Sequence, residues 1–142
     1  MKVLDVNVVL PAHRADHPDH VAARSWLDAL LASGEQFGVP WMVWSSFLRL
    51  SSHPRVFHVP TPIDEVFDFI QALRAQPGHI AVEAGENHLN CLRRVCERGE
   101  ATADLVPDAA LAALAVEHGG ELVSFDRDFA RFPDLRWSRP EP

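Results

Sequence analysis

The sequence predicts an α/β domain in which a mostly parallel sheet lies between two layers of helices. Short apolar runs rich in β-branched residues alternate with longer segments whose apolar residues recur at helical spacing. Strands separated by helices are typical of parallel sheets, because a parallel pair needs a crossover connection. The length of 142 residues and the hydrophobic content of 47% suit one domain with a proper core.

The first half of the chain is predicted to hold two strands and three helices. A β-branched run begins at Lys2, and a helix with apolar residues at helical spacing follows Asp19 and stops at Gly34. A Ser-Ser-His-Pro breaker ends another helix, and Pro62 stands at the favoured first position of the next. The predicted elements are a strand within 2–10, a helix over 20–33, a strand over 37–39, and helices over 41–52 and 62–75.

The second half is predicted to alternate in the same way. A weak strand follows Gly78, and Gly119-Gly120 separates an Ala/Leu-rich helix from the clearest strand after the first. The single domain is expected to span 1–137, with a Pro-rich tail over 138–142. The predicted elements are a strand over 80–82, helices over 85–98 and 107–118, a strand over 121–124, and a helical turn over 126–130.

Aspartates occur where three of these apolar runs break. Asp5 and Asp126 follow predicted strands, Asp128 lies beside Asp126, and Asp108 begins a helix. Strand ends and helix starts at one edge of a parallel sheet are where ligands converge, and carboxylate oxygens suit Mg²⁺ or Mn²⁺. Each acid also has an ordinary interpretation as a helix or turn cap. Together they favour a divalent-metal site, because clustered carboxylates repel each other without a cation.

The remaining composition limits the class of protein. A formal charge of −7 argues against non-specific coating of nucleic acid, although Lys2 is the single lysine among 13 basic residues and arginine suits phosphate recognition. No apolar stretch is long enough to cross a bilayer, so a soluble, cytoplasmic protein without membrane contact is expected. Cys91 and Cys96 are expected to be reduced packing residues, because their spacing carries no zinc pattern.

Three segments carry a resemblance to a known family. MKVLDVNVVLPA, WSSFLRLSSHPRVF and LVPDAALAALAVEHGGELVSFDRDFARFPDLRW resemble the PIN domain of VapC toxins, the ribonucleases of type II toxin–antitoxin systems. The resemblance implies a PIN-like three-layer α/β/α sandwich and a magnesium- or manganese-dependent endoribonuclease that cuts RNA to inhibit translation and growth. It also implies a cognate VapB-type antitoxin and a homodimer. Asp5 and Asp108 would be the principal metal ligands, Asp126 would complete the acidic pocket, and Asp128 would lie beside it.

One position departs from the family pattern. Many PIN domains carry a glutamate in the helix after the second strand, three residues before an arginine, whereas here Ser46 precedes Arg49. Asp104 is either a substitute for that acid or an ordinary solvated loop residue. The site is therefore expected to bind one metal more weakly than a full four-acid site. The alternative is a degenerate PIN domain that binds RNA or a protein partner without cleaving RNA.

Auxiliary roles are assigned to a few further residues, each with an ordinary alternative. Asn7, placed in the first loop, either orients a ligand or stabilises a turn. The stripe of Trp41, Trp44, Phe47 and Leu48 forms either a partner groove or the core. A phosphorelay receiver and a haloacid-dehalogenase-like phosphatase do not fit, because the first lacks its lysine and the second its early Asp-x-Asp. The candidates for contacts with RNA phosphates, each otherwise a surface residue, are Arg14, Arg49, Arg55 and Arg127.

Overall fold

The computed structural model describes residues 1–141. Within them the regular elements comprise four strands, six α-helices and two 3₁₀ helices. In chain order they are β1 (Lys2–Leu4), α1 (Val6–His13), α2 (His20–Ser33), β2 (Phe37–Gly38), α3 (Trp41–Ser51), α4 (Ile63–Arg74), α5 (His88–Arg98), a first 3₁₀ helix (Ala103–Leu105), α6 (Val106–Glu117), β3 (Glu121–Val123), a second 3₁₀ helix (Arg127–Arg131) and β4 (Arg136–Ser138).

The four strands form one parallel sheet in the order β2-β1-β3-β4. The chain moves from β1 outward to β2 and then crosses back to β3 on the other side of β1. Right-handed crossovers in opposite directions place α1 and α2 on one face of the sheet and α6 on the other. The predicted α/β fold with a parallel sheet is therefore confirmed.

The core lies on both faces of the two central strands. Val3 and Leu4 of β1 and Leu122 and Val123 of β3 are fully buried, as expected for strands covered on both faces. The helix α6 is rich in buried alanine, which lets it approach the sheet closely. Its first turn, and with it Asp108, is thereby fixed near the carboxyl ends of the strands.

The structure corrects the prediction for residues 6–10, which are helical rather than extended. Asp5 has extended backbone and caps α1, and its carboxylate accepts a hydrogen bond from the Val6 amide at 2.6 Å. The β-branched run favours a strand, but helix α1 buries Val8 and Val9 completely. Tertiary burial thus outweighs local propensity. Asn7 consequently lies in the first turn of a helix and not in a loop.

The structure differs from the predicted strands in two further places. The segment 80–82 is extended but forms no strand, and only an isolated bridge joins His79 to Phe37 of β2. The strand β4 was not predicted, because three residues with one large apolar side chain, Trp137, give too short a pattern. It pairs with β3 and ends at Ser138, the first residue of the expected tail.

No helix among residues 1–141 is both long and apolar enough to span a bilayer.

Candidate active site

The site lies where the strand order reverses. The connection from β1 leads to β2 on one side of the sheet, and the connection from the adjacent β3 leads to β4 on the other. The carboxyl ends of two such strands leave a crevice between their diverging connections, which is the usual ligand position in open parallel sheets. Asp5 directly follows β1, and Asp126 lies three residues after the last residue of β3.

Asp5 is the most constrained of the acids, with an exposed fraction of 8%. Its backbone amide donates to the Val123 carbonyl at 3.1 Å and so continues the ladder between β1 and β3. Burial raises the pKa of this carboxyl above its usual value, although hydrogen bonds from Ser124 and Val6 oppose the shift. The charges of Asp108 and Asp126 raise the pKa of Asp5 further, so both carboxylates lie near enough to Asp5 to repel its charge.

Ser124 joins the two strand ends. Its hydroxyl is fully buried and donates to Oδ2 of Asp5 at 2.7 Å. The hydroxyl oxygen of Ser124 accepts hydrogen bonds from Nδ2 of Asn7 at 2.9 Å and from the Asp126 backbone amide at 3.0 Å. Oδ1 of Asn7 in turn accepts from the Phe125 amide at 3.0 Å. These bonds fix the Asp5 carboxylate against the start of the loop that carries Asp126.

Asp108 and Asp126 complete the acidic group from two other elements. Asp108 lies half-buried in the first turn of α6, and burial together with the charges of Asp126 and Asp128 raises its pKa. Asp126 caps the second 3₁₀ helix and accepts from the Asp128 amide at 2.9 Å. The capping interpretation therefore holds for Asp126, as it does for Asp5, and does not prevent either carboxylate from acting on its neighbours.

Asp104 and Ser46, the two other residues predicted for the site, have no hydrogen bond to Asp5, Asp108 or Asp126. Asp104 is exposed in the first 3₁₀ helix and is not among the charges that act on Asp5 or Asp108. Ser46 is half-buried on α3, as the predicted helix required, but hydrogen-bonds to none of the acids. The assignment of both residues to the site stays a prediction.

The arginine candidates differ in how far they are already engaged. The guanidinium of Arg14 stacks 3.9 Å from the Phe57 ring centroid and donates to Asp16, Thr61 and the Val59 carbonyl. Arg14 thus holds the end of α1 to a neighbouring loop, and four of its five N–H groups are engaged within residues 1–141. The side chains of Arg49, Arg55 and Arg127 are exposed.

The aromatic stripe of α3 divides between core and surface. Trp44 and Phe47 are buried, with exposed fractions of 1% and 0%. Trp41 is 54% exposed, and the Arg74 guanidinium lies 4.8 Å from its ring centroid. The core interpretation of the stripe is therefore confirmed for two of its members, while Trp41 remains on the surface.

The carboxylates of Asp5, Asp108 and Asp126 fit a hard divalent cation. Their oxygens are the ligands that such cations prefer, and a bound cation would relieve the repulsion between them. No group of three or more His, Cys, Asp or Glu side chains in residues 1–141 is arranged to hold a metal ion. A preformed all-protein cage is thus absent from this part of the chain. Mg²⁺ commonly binds through one or two carboxylates and keeps several waters, which this arrangement allows.

Comparison with known proteins identifies the family. The family model of the PIN domain matches residues 2–135, nearly the whole chain. The chain belongs to the PIN-domain family. Within it, the chain is 50% identical to "Ribonuclease VapC25" and 51% identical to "Ribonuclease VapC31" of Mycobacterium tuberculosis, with 99% of each chain covered. It is 37% identical to "VapC ribonuclease Mb2897" of Mycobacterium bovis, covering 99% of this chain and 95% of that protein. These full-length similarities make it a VapC-type PIN domain.

Solved structures support the fold. The chain superposes on VapBC2 from Rickettsia felis, determined with a promoter DNA fragment, with a TM-score of 0.69 and 14% identity over 99% of this chain and 98% of that one. It superposes on FitAB bound to the IR36 DNA fragment with a TM-score of 0.70 and 16% identity, covering 99% and 95%. At these identities the likeness concerns the fold, and the predicted PIN-like architecture is confirmed.

Sequence reasoning missed two residues of this PIN domain's site. Ser124 was assigned only to the end of a strand, although it is the one polar residue between the apolar run of β3 and Phe125. Its register opposite Asp5, which follows from the pairing of Leu4 with Val123, could not be known without the sheet. Arg131 was not considered, yet its charge lowers the pKa of Asp108 against the effect of burial.

Proposed function

We propose that this VapC-type PIN domain is a metal-dependent endoribonuclease and the toxin of a VapBC-type toxin–antitoxin pair. The observation that carries the proposal is the convergence of acids at the strand-order reversal, where the charges of Asp108 and Asp126 raise the pKa of the buried Asp5 carboxyl. A buried acid whose neighbours are also acids costs stability unless the group serves a ligand. The ribonuclease names of the VapC25 and VapC31 relatives support RNA as the substrate.

The roles of this chain's residues follow from their positions. Asp5 and Asp108 would hold Mg²⁺ or Mn²⁺, with Asp126 completing the site and Asp128 at its exposed rim. When bound, the ion acts as a Lewis acid on the scissile phosphate and lowers the pKa of the attacking water towards neutrality. Ser124 holds Oδ2 of Asp5 and leaves the other carboxylate oxygen near the start of α1. Asp126 or Asp128 would position the water and accept its proton as the water oxygen bonds to phosphorus. The bond between phosphorus and the 3′ oxygen then breaks, and that oxygen takes up a proton, so the products carry 5′-phosphate and 3′-hydroxyl ends.

The proposed partners follow from the family. The solved neighbours, VapBC2 and FitAB, carry two-component names, which supports a VapB-type antitoxin as the partner of this chain. The formal charge of −7 favours an antitoxin segment that carries arginine. A homodimer and action in the cytoplasm are both proposed by family resemblance.

The test is cleavage of total cellular RNA by purified, antitoxin-free protein in Mg²⁺, in Mn²⁺ and in EDTA. Asp5→Asn and Asp108→Asn are compared with Asp28→Asn, whose exposed carboxylate pairs with Arg24 on α2 and undergoes the same change of charge. We expect defined fragments from wild type and Asp28→Asn with metal, and none from the two site variants or in EDTA. Expression should arrest growth only for the cleaving proteins, and the antitoxin should relieve the arrest.

Two results would contradict the proposal. Cleavage that persists in EDTA and in both site variants would mean that the acids hold no essential metal. No cleavage by folded wild-type protein with either metal would favour the degenerate binding module, and Ser46→Glu would then be the variant to examine for recovered activity. The presence of Ser46 and the absence of a preformed three-ligand group in residues 1–141 make this second outcome a specific alternative.

A further inference from the structure

Arg131 is rigidly placed at the end of the second 3₁₀ helix. The next residue, Phe132, is buried, and its ring lies so close to Gly99 that a Cβ at Gly99 would approach Cδ1 of Phe132 to 2.4 Å. Nε of Arg131 donates to the Gly99 carbonyl at 3.0 Å. The backbone and the first guanidinium nitrogen are therefore both fixed on the carboxyl end of α5.

The rest of this guanidinium is free. Its two terminal nitrogens donate to no atom of residues 1–141, and Arg131 forms no salt bridge with any carboxylate in that range. The nearby Asp134 is engaged by Arg98. Arg131 is also exposed. A planar fork anchored at one nitrogen and open at two is suited to an external anion with two oxygens.

The fork lies beside the acidic group. The sequence places it three residues after Asp128 in the same 3₁₀ helix, and its charge acts favourably on ionised Asp108. Among the charges that act on Asp5 and Asp108, the positive one is that of Arg131, which acts on Asp108. A polyanion that approaches four aspartates is repelled unless a cation faces it. A fixed arginine at the rim of the acidic group would therefore attract the phosphates of such a polyanion.

We propose that Arg131 is a substrate-contact residue that binds a phosphodiester of the RNA next to the scissile bond. This assignment rests on the proposed ribonuclease function and names a contact for it. The phosphate would accept from the two terminal nitrogens, while the bond from Nε to Gly99 keeps the fork oriented. The contact is to the backbone of the nucleic acid, so it adds affinity without selecting a sequence.

The test is the salt dependence of RNA binding, measured by fluorescence anisotropy with fluorescein-labelled oligouridylate over a potassium chloride series. All proteins carry Asp108→Asn, which prevents cleavage under the proposed function. Arg131→Gln is compared with Arg136→Gln as the matched control. Arg136 is also an exposed arginine that donates to a backbone carbonyl, that of Gly119, but it lies at the opposite, amino-terminal end of the strands.

We expect Arg131→Gln to weaken binding about tenfold, the value of one charge-assisted contact. It should also reduce the slope of log K against log salt by about 0.7, as for one lost phosphate contact on a single strand. Arg131→Lys should keep the slope and recover part of the affinity, because a lysine keeps the charge without the fork. Arg136→Gln should leave both quantities unchanged. Urea unfolding should show similar stability for the two glutamine variants, since each loses one bond to a carbonyl.

Equal slopes for Arg131→Gln and Arg136→Gln would overturn the assignment, and so would an Asp108→Asn parent that does not bind the probe. Both failures can be told apart from failure of the proposed function. If only the Arg131 contact is wrong, the wild-type chain still cleaves RNA in a metal-dependent way. If the wild-type chain does not cleave RNA, both the proposed function and this contact are wrong.

Discussion

The buried hydroxyl of Ser124 allows a quantitative test of how the site is built. Ser124→Ala removes a hydrogen bond to the Asp5 carboxylate and leaves the Asn7 amide and the Asp126 amide without their acceptor. A hydrogen bond to a charged group contributes about 1.5–3 kcal/mol, and the two partly buried donors left without an acceptor add to the loss. We expect the free energy of unfolding at neutral pH to fall by about 2–3 kcal/mol.

Ser51 provides the matched control. It is also a fully buried serine, but its hydroxyl has no hydrogen-bond partner among residues 1–141. Ser51→Ala should therefore change the free energy of unfolding by less than about 0.5 kcal/mol or increase it, because it removes an unsatisfied buried hydroxyl. Urea denaturation of both variants, followed by tryptophan fluorescence in EDTA, gives the comparison.

The pH dependence separates the Asp5 bond from general packing. The Ser124 hydrogen bond lowers the pKa of Asp5 against the effect of burial, so it favours the charged carboxylate. Its loss should matter most above the pKa of folded Asp5 and should shrink as that carboxyl becomes protonated at lower pH. Equal losses for Ser124→Ala and Ser51→Ala, or a Ser124→Ala loss that does not change with pH, would refute the reasoning.

Three further predictions concern charge, packing and protonation. Asp108→Asn should stabilise the metal-free protein by up to about 1 kcal/mol after allowance for solvent screening, in a window that opens as pH rises through the usual pKa of aspartate, because burial and neighbouring acids raise the folded pKa of Asp108. It should also abolish the rise in melting temperature that Mn²⁺ gives wild type, and a wild-type rise retained by the variant would exclude Asp108 as a ligand. Gly38→Ala should cost about 1–3 kcal/mol in urea unfolding, because the new Cβ would lie 2.3 Å from Cγ2 of Val82, and a neutral effect would show that the 80–82 segment yields. Burial lowers the pKa of His13, with the charge of Arg14 adding to the effect, so stability should fall as pH drops below the usual histidine pKa of about 6.5, and His13→Gln should flatten that fall in chemical denaturation.

Much of the fold could be predicted because it depends on local patterns. The helices α2 to α6 were found within a few residues of their observed bounds, because apolar spacing and Gly or Pro breakers mark them. Residues 6–13 were missed because a β-branched run satisfies a strand pattern as well as a buried helix. The strand β4 was missed because its pairing with β3, and not its own sequence, makes it a strand.

For the site, the sequence by itself determined which acids stand where apolar runs end: Asp5, Asp108 and Asp126. Their positions along the chain are local facts of hydrophobic pattern, which a sequence displays directly. Only the tertiary structure decided that β1 lies beside β3, that Ser124 faces Asp5, and that the two terminal nitrogens of Arg131 have no partner among residues 1–141. The physical reason is that sheet order, register and hydrogen-bond partners join residues as far as 119 positions apart, and the free energy of those contacts exists only in the folded chain.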